Sequence, residues 1–296
     1  MHYVITGSLG HIGKPLATQL VKDRHSVTVI SSKVERTKEI EEIGARAAIG
    51  SLTDPGFLSK TFKGADGVYT MVPPYFAVND WKGFIGSIGK NYVIAIKASG
   101  VKHVVNLSSI GAHMRDGCGP VSGLYRVEQA LNELHGVNVR HLRAGYFYTN
   151  FLNSISSIKH QNIMSGNYGE NALMVLVHPE DIVDEAVREL EEPTFLGRGF
   201  RYIVSDEKTT NEIATILGTA IGKPDLKWAD LTDQEMFDGM IRSGMPEEIV
   251  RNYVEMGAAI RSGDMTSDYE DHRPVLAGWR SIDKFVPDFV AAYNAL

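Results

Sequence analysis

Three glycines near the start of the chain constrain its fold more than any other feature. Residues 2–6 (HYVIT) form a short apolar run that leads directly into Gly7, Gly10 and Gly13, and apolar residues then recur with helical spacing. A strand, a glycine turn and a helix amino terminus together present unpaired backbone N–H groups and a positive dipole end, which pyrophosphate can fill. The sequence therefore predicts a dinucleotide-binding βα unit. Because the spacing is GxxGxxG and not GxGxxG, a structural glycine turn without a ligand stays open as the alternative.

Composition excludes several classes of protein. The chain has 296 residues, 43% hydrophobic and 22% charged, so it can form a large core without disulfides or metals. Its net charge of −6 argues against a nucleic-acid partner, and its scattered histidines argue against a metal site. No signal peptide and no apolar run of about 20 residues is present, so we expect neither secretion nor a membrane span. Cys118 is the only cysteine; we expect a reducing, cytoplasmic setting and no nucleophilic role for this thiol.

Apolar strand patterns alternate with helical patterns through the first half of the chain. After the first helix, predicted strands cover 27–30, 47–49, 67–71, 103–107 and 139–142, and predicted helices cover 34–43, 55–62, 81–99 and 124–134. Such alternation predicts an α/β fold with a doubly wound parallel sheet, whose strand carboxyl ends share one edge. Ligands of such sheets bind at that edge.

The regularity decays beyond about residue 150. Residues 151–169 are mixed and polar, 179–190 and 211–221 predict helices, 200–204 predicts a late strand, and 230–296 is mostly helical. We therefore expect a dinucleotide-binding core in residues 1–150. Residues 151–296 are expected to form a smaller, mostly helical substrate or lid lobe that is partly interleaved with the core.

Several short segments carry a resemblance to a known family. They are TGSLGHIG (6–13), GSLTD (50–54), MVPP (71–74), VVNLSS (104–109), LRAG (142–145) with Asn150, PEDI (179–182), LAG (276–278) and FVPDF (285–289). In this order they resemble the NmrA-like family of atypical short-chain dehydrogenases/reductases, over nearly the whole chain. The resemblance implies a Rossmann fold that binds NADP(H). It does not fix the activity, because the family ranges from NADPH-dependent quinone and ketone reductases to non-catalytic redox-sensing regulators.

Cofactor contacts are expected along the sheet edge. The turn Gly7, Ser8, Gly10, His11, Ile12 and Gly13 is predicted to hold the pyrophosphate. After the second strand, an NAD site normally carries an acidic residue, whereas this chain has Ser31, Ser32, Lys33 and Arg36. Hydroxyls and cations suit a 2′-phosphate, which favours NADP(H). The alternative is that Lys33 and Arg36 form only a solvated helix face that also contains Glu35 and Glu39.

Further along the edge, Ser51 and Leu52 follow the third strand, where relatives commonly have an aspartate that reaches the adenine amine. Leu52 can still cover the adenine face, and Asp54 is expected to cap the next helix. Val72 and Pro73 follow the fourth strand and are predicted to form a stiff wall beside the ribose and nicotinamide. The alternative for these prolines is that they only end the strand.

The candidate catalytic residues are Ser108 and Tyr125. Short-chain reductases use a serine after the fifth strand and a Tyr-x-x-x-Lys pair on the next helix, but here Gln129 stands at the lysine position. Without that cation, Tyr125 is expected to be a weak acid, and Gln129 is predicted to hydrogen-bond a ribose hydroxyl. The alternatives are that Tyr125 is a structural or substrate-lining residue and that Ser108 only ends its strand. Reduction of a quinone relaxes the need for an acid, because the product anion is less basic than an alkoxide.

Candidate substrate contacts are aromatic: Tyr75, Tyr146, Phe147 and Tyr148, with Phe76 and Phe151 nearby. A hydrophobic seam between the lobes is the alternative for these side chains. Asn150 is expected to tether the second lobe. Asp181, just after His178, is expected to stabilise a helix start, and the other carboxylates of residues 180–192 are interpreted as a solvated face.

Two functional hypotheses follow. The first is an NADPH-dependent oxidoreductase that transfers hydride to a quinone-like or carbonyl small-molecule acceptor. The second is a non-catalytic NADP(H)-binding redox sensor that acts through a regulatory protein partner.

Overall fold

The structure, a computed structural model, describes residues 1–193, 195–276 and 279–295. The strands of these residues are β1 (His2–Ile5), β2 (Ser26–Ser31), β3 (Arg46–Ile49), β4 (Gly67–Thr70), β5 (His103–Ser109), β6 (Asn138–Ala144), β7 (Tyr146–Phe147), β8 (Ile163–Gly166), β9 (Leu173–Val177), β10 (Arg198–Ile203), β11 (Asp206–Thr209) and β12 (Lys227–Asp230). The helices are α1 (Gly13–Lys22), α2 (Thr37–Glu42), α3 (Pro55–Phe62), α4 (Trp81–Ser99), α5 (Val121–Asn132), α6 (Ile155–Gln161), α7 (Pro179–Glu191), α8 (Thr210–Ala220), α9 (Asp233–Arg242), α10 (Glu247–Ser262), α11 (Ser267–Asp271) and α12 (Ile282–Ala295).

A parallel sheet forms the centre of the molecule. In the described part of the chain its seven strands follow the order β10-β6-β5-β4-β1-β2-β3, and every neighbouring pair is parallel. This confirms the predicted doubly wound α/β fold. The strand order reverses between β1 and β4, so the loops after these two strands diverge and open a crevice at the carboxyl edge.

Helices cover both faces of the sheet. On one face, α1, α2 and α7 bury apolar residues against it, including Leu16, Ile40 and Ile182. On the other face, α3, α4 and α5 do the same, for example through Phe62 and Ile88. A sheet covered on both sides accounts for strands that read as continuous apolar runs.

Two core elements come from beyond residue 150. Strand β10 pairs with β6 from Arg198 to Ile203, and α7 packs against α1 on one sheet face. The chain therefore enters the second lobe, returns to complete the sheet, and leaves again.

The second lobe contains two small sheets. Strand β9 lies between β7, to which it is parallel, and β11, to which it is antiparallel, and β12 pairs with β8. Helices α6, α8 and α12 pack around these strands and bury Ile158, Leu217 and Phe289. The sequence pattern did not predict β7, β8, β9, β11 or β12. Strand β7 has two residues, and β11 (DEKT) is mostly charged. No helix in the described residues is long and apolar enough to cross a membrane.

Element boundaries agree well where local signals are strong. Helix α3 begins after Asp54, whose carboxylate accepts from the N–H groups of Gly56 and Phe57 at 2.8 and 3.0 Å, so the predicted cap is confirmed. Several boundaries differ from the prediction by one to three residues, and two of the differences bear on the site. Strand β5 continues through Ser109, which places Ser108 inside the strand and not after it. Residues 34–36 form a 3₁₀ turn before α2.

The interpretation of the other carboxylates of α7 as a solvated face is wrong for Glu185 and Glu189. Both are buried, with exposures of 7% and 0%, and Asp181 is also buried, at 2%. Some of their partner cations come from distant segments: Arg280 binds Asp181, and Arg201 lies 3.1 Å from Glu185. Arg188 of α7 itself pairs with Glu185 and Glu189. Asp181 therefore clamps the segment before α12, while the ring nitrogen of His178 accepts the helix-start N–H of Glu180 at 3.2 Å.

Candidate active site

The glycine turn has the geometry of an anion cradle. Gly7 and Ser8 have positive φ angles of 92° and 59°. A Cβ on Gly13 would lie 2.0 Å from the carbonyl oxygen of Ser8, so only glycine fits where α1 meets the turn. A methyl group added at Gly10 would meet its nearest neighbouring atom 4.0 Å away, so no contact within the described residues explains this glycine. The space beside Gly10 is free for a ligand.

The amino terminus of α1 also suits an anion. Ile12 precedes the helix without a side-chain cap, and the first turn has no acidic residue. In the described part of the chain, the backbone N–H groups of residues 10–13 donate no hydrogen bond. His11 is exposed. Unpaired N–H groups at a positive dipole end are the donors that a pyrophosphate requires.

The loop after β2 lies beside this turn. Ser31 is buried, and its hydroxyl accepts from the Ser8 hydroxyl at 3.0 Å and from the Lys33 N–H at 3.2 Å. Ser31 therefore joins the two loops, while Ser32 and Lys33 are exposed. Arg36 forms an ion pair with Glu39.

Lys14, which sequence reasoning missed, lies 2.9 Å from the same Glu39 carboxylate. The signal that could have found it is its position directly after Gly13, at the start of α1.

The loops after β3 and β4 form the next part of the edge. The Ser51 hydroxyl contacts that of Thr53 at 2.7 Å, and Leu52 is half-buried in the cluster under α3 and α4. The Thr6 hydroxyl accepts from the Met71 N–H at 2.9 Å, and Tyr92 donates to the Met71 carbonyl at 2.6 Å. These bonds fix the end of β4 to the end of β1.

A cavity of about 320 Å³ lies between the sheet edge and the second lobe. It is lined by Met71, Val72, Pro74, Leu107, Ser108, Ser109, Ile110, Leu124, Gly145, Tyr146, Phe147, Asn150, Leu173, Met174, Val175, Tyr253, Met256, Ile260, Met265 and Thr266. These lining residues include no charged side chain. Four of them are methionines, whose flexible side chains adapt to flat apolar ligands.

The cavity adjoins the glycine turn through Met71. A Cβ on Gly7 would lie 2.4 Å from the Met71 sulfur, and Met71 also lines the cavity. Val72 lines the cavity as well, whereas Pro73 is not among the lining residues. The cradle and the apolar cavity are thus neighbouring parts of one crevice.

The predicted substrate contacts divide into two groups. Tyr146 and Phe147 line the cavity. Tyr75 is 49% exposed and packs against Phe84 with ring centroids 5.1 Å apart. Tyr148 is fully buried in the second lobe, where its hydroxyl donates to the Arg280 carbonyl at 3.1 Å. Tyr75 and Tyr148 therefore lie outside the cavity, because one belongs to the surface and the other to a core.

The structure does not bring the predicted catalytic pair together. Ser108 lines the cavity, but Tyr125 is half-exposed on α5 and Gln129 is exposed, and neither is among the lining residues. The Ser108 hydroxyl donates to Glu128 at 2.6 Å. Glu128 in turn accepts from Arg143 Nε and Nη2 at 3.1 and 2.8 Å.

The buried network continues from Arg143 to Asp268 at 2.8 Å. Sequence reasoning missed Glu128, Arg143 and Asp268, although Arg143 lies in the LRAG segment. The network brings together α5, β6 and α11, which carry Glu128, Arg143 and Asp268, and no local pattern reveals that these elements meet.

A glycine cradle and an apolar cavity at the edge of a doubly wound sheet agree with the family that the sequence motifs suggested. The profile of the NmrA-like family matches residues 2–285. The chain belongs to the NmrA-like family. Of the segments on which the resemblance was based, Ala277 and Gly278 lie outside the described residues.

Relatives with this NmrA-like fold span the whole chain. The NAD(P)H azoreductase of Xenophilus azovorans is 23% identical over 294 residues, 99% of each chain. The triphenylmethane reductase of Citrobacter sp., solved with NADP(H), is 18% identical with a TM-score of 0.81 and covers 98% of this chain and 100% of its own. The quinone oxidoreductase QOR2 of Escherichia coli, solved with NADPH, is 17% identical with a TM-score of 0.81 and covers 97% and 99%.

In this NmrA-like chain, a group of hydroxyls lies at the lobe side of the cavity. Burial raises the pKa of Tyr146 well above its ordinary value, the neighbouring Tyr168 raises it further, and a hydrogen bond with Asn150 opposes the shift. Burial also raises the pKa of Tyr253. Tyr146 is therefore a neutral hydroxyl at physiological pH, and it belongs to a residue that lines the cavity.

Proposed function

We propose that this protein is an NADPH-dependent oxidoreductase that reduces an extended conjugated acceptor, such as a quinone, or a carbonyl compound. One observation carries the proposal: an uncharged apolar cavity opens beside the glycine cradle, with Met71 belonging to both. A dinucleotide seated in the cradle extends along the carboxyl edge of the sheet, so its reactive end arrives at this cavity.

The residues of the edge fit the cofactor. The unpaired backbone N–H groups of residues 10–13 are the donors that would hold the pyrophosphate, and the free space at Gly10 supports this assignment. Lys33 and Arg36 supply positive charge near the adenosine ribose. When bound, the cofactor supplies the hydride.

The acceptor class follows from the lining and from the relatives. The names of the relatives specify azo compounds, triphenylmethane dyes and quinones. These compounds share a broad, conjugated and largely apolar framework. A cavity lined by methionines and aromatic rings buries such a framework and leaves water out, which strengthens the few polar contacts that remain.

The side chains of the cavity orient the acceptor and donate a hydrogen bond to it. They do not form the catalytic triad of a short-chain reductase. The Ser108 proton is held by Glu128, and Tyr125 lies outside the lining. Tyr146 is the neutral donor that faces the cavity, with Asn150 beside it. A donor at this point stabilises the oxygen anion that develops when a quinone accepts a hydride.

We also propose a division of labour along the chain. Residues 1–150 supply the cofactor cradle, and residues 151–296 supply the lobe side of the cavity through Tyr253, Met256 and Ile260 of α10. A single cysteine, Cys118, whose thiol is buried and free, favours a reducing cytoplasmic setting. The sensor hypothesis gains no support, since the relatives named above are reductases.

A panel of acceptors tests the function. Purified protein is mixed with NADPH and a series of quinones, azo dyes and aliphatic ketones, and NADPH oxidation is followed by its absorbance. We expect acceptor-dependent oxidation that is fastest with the conjugated compounds. Tight NADPH binding without oxidation by any acceptor would remove the enzyme hypothesis and leave a binding protein.

A further inference from the structure

One carboxylate lies between two cations beside the glycine cradle. Glu39 Oε1 is 2.9 Å from Lys14 Nζ, and Glu39 Oε2 accepts from Arg36 Nη1. The three side chains come from different elements: the first turn of α1, the 3₁₀ turn after β2, and α2. They are 51%, 44% and 32% exposed for Lys14, Arg36 and Glu39.

Their location is the place where two dinucleotide cofactors differ. The end of β2 and the glycine turn are joined there by the Ser8 and Ser31 hydroxyls, 3.0 Å apart. At this corner of a Rossmann fold the ribose carries either a 2′-hydroxyl or a 2′-phosphate. The hydroxyl donates a hydrogen bond to an acidic residue, whereas the phosphate binds cations. Glu39 therefore presents an anion to the cations that a 2′-phosphate would use.

The existing ion pairs are weak enough to be replaced. Partly exposed ion pairs of this kind contribute little to stability, because water and salt screen them. A phosphate group bears more charge than a carboxylate and offers more acceptor oxygens to Lys14 and Arg36. Once displaced, Glu39 stays on α2 within a short distance and repels the phosphate.

We propose that Glu39 occupies the position of the cofactor's 2′-phosphate and is a specificity-determining residue that weakens NADPH binding relative to NADH. Lys14 and Arg36 become ligands of the phosphate when Glu39 is displaced. This inference rests on the proposed function for the identity of the cofactor, but it does not depend on the acceptor or on hydride transfer.

Direct binding measurements test it. Dissociation constants for NADPH and NADH are measured by fluorescence titration, and for 2′,5′-ADP and AMP by calorimetry, with wild type, Glu39→Gln, Lys14→Ala and the control Glu42→Gln. Glu42 lies on the same helix, is 63% exposed and contacts only Lys38, at 3.8 Å, among the ion pairs of the described residues.

The expected pattern is specific to the phosphate. Glu39→Gln binds NADPH and 2′,5′-ADP about threefold to tenfold more tightly, the size of an exposed charge interaction. Lys14→Ala binds the same two ligands about tenfold more weakly. NADH and AMP change by less than about twofold in either variant, and Glu42→Gln resembles wild type. Added salt reduces all of these differences.

Two results would overturn the inference, and they can be told apart. If Glu39→Gln leaves NADPH affinity unchanged or weakens it, the carboxylate does not compete with the phosphate, and the proposed function stands. If wild type binds neither dinucleotide, both this inference and the proposed function fail. Thermal melting of each variant checks that these surface substitutions leave the fold intact.

Discussion

The Ser108 hydroxyl donates a hydrogen bond to Glu128 at 2.6 Å, so a serine that lines the cavity is already bonded to a buried carboxylate. Glu128 is held from its other side by the guanidinium of Arg143. Because its proton is engaged, Ser108 can accept a hydrogen bond from a ligand but cannot donate one while the network is intact.

Replacing Ser108 with alanine should therefore have a small effect on turnover. We expect kcat/KM for a quinone to fall by less than about tenfold, since no proton donor is lost from the cavity. Steady-state NADPH oxidation measures this. A loss of more than about a hundredfold would mean that the serine acts directly on the acceptor.

Removing the buried carboxylate should instead affect stability. In Glu128→Ala, Arg143 keeps only Asp268 as a charged partner, and a buried charge left without its main partner destabilises a fold by about 3 kcal/mol. Urea unfolding would measure the change in the free energy of unfolding. Glu133→Gln, an exposed substitution just after α5, serves as the control and should stay near wild type.

Alanine substitutions at two glycines of the cradle should have different effects, one mainly on stability and the other mainly on NADPH binding. Gly13→Ala places a methyl group 2.0 Å from the Ser8 carbonyl and should destabilise the fold by about 3 kcal/mol or more. Gly10→Ala has no such clash, and its free energy of unfolding should stay within about 1 kcal/mol of the wild-type value. Its methyl group nevertheless occupies ligand space, so NADPH binding should weaken at least about tenfold. Equal NADPH affinity of wild type and Gly10→Ala would contradict the assigned cradle.

Tyr146→Phe should separate acceptor reduction from cofactor binding. The variant loses the neutral hydroxyl that faces the cavity, and we expect kcat/KM for quinones to fall about tenfold to a hundredfold. NADPH affinity should not change. Tyr75→Phe, at the exposed position, provides the matched control. Since burial raises the pKa of Tyr146, activity should not decline through its ionisation as pH rises from 7 to 9. A Tyr146→Phe enzyme as active as wild type would remove this role.

Tyr3 provides a pH test of the core. Burial, with Glu191 and Asp66 nearby, raises the pKa of its hydroxyl from 10.0 to about 12. The unfolded chain ionises first, so the stabilisation is complete below the unfolded pKa and is lost as pH rises through this interval. Urea unfolding at several alkaline pH values should show a steeper loss for wild type than for Tyr3→Phe. Parallel curves for the two proteins would contradict the assigned shift.

Local signals account for what could be predicted from the sequence. Helix α4 has the predicted bounds because Asp80 caps its start and Gly100, with φ of 77°, ends it. The glycine turn was predictable because Gly7, Gly10 and Gly13 stand between an apolar strand pattern and a helical one, all within the local sequence.

Features that depend on distant partners could not be predicted. Ser108 and Arg143 meet because β5 pairs with β6, Glu128 reaches both of them from α5, and Lys14 meets Glu39 across 25 positions of sequence. The local sequence pattern predicts that the charged side chain of Glu189 faces solvent. In the structure it is fully buried beside Arg140 and Arg188. Tertiary pairing overrides the local preference of such residues.

Helix α7 and strand β10 return to the central sheet late in the sequence, and this order affects how the protein folds during synthesis. While residues 151 onward have not been synthesised, β6 has an unpaired edge and the sheet face that carries α1 and α2 lacks α7. An open strand edge and an uncovered apolar face are the surfaces that nascent chains use to aggregate. Co-translational folding of the nucleotide-binding half must therefore wait for Ile203 to emerge, and an expression truncation that stops before it should accumulate in inclusion bodies.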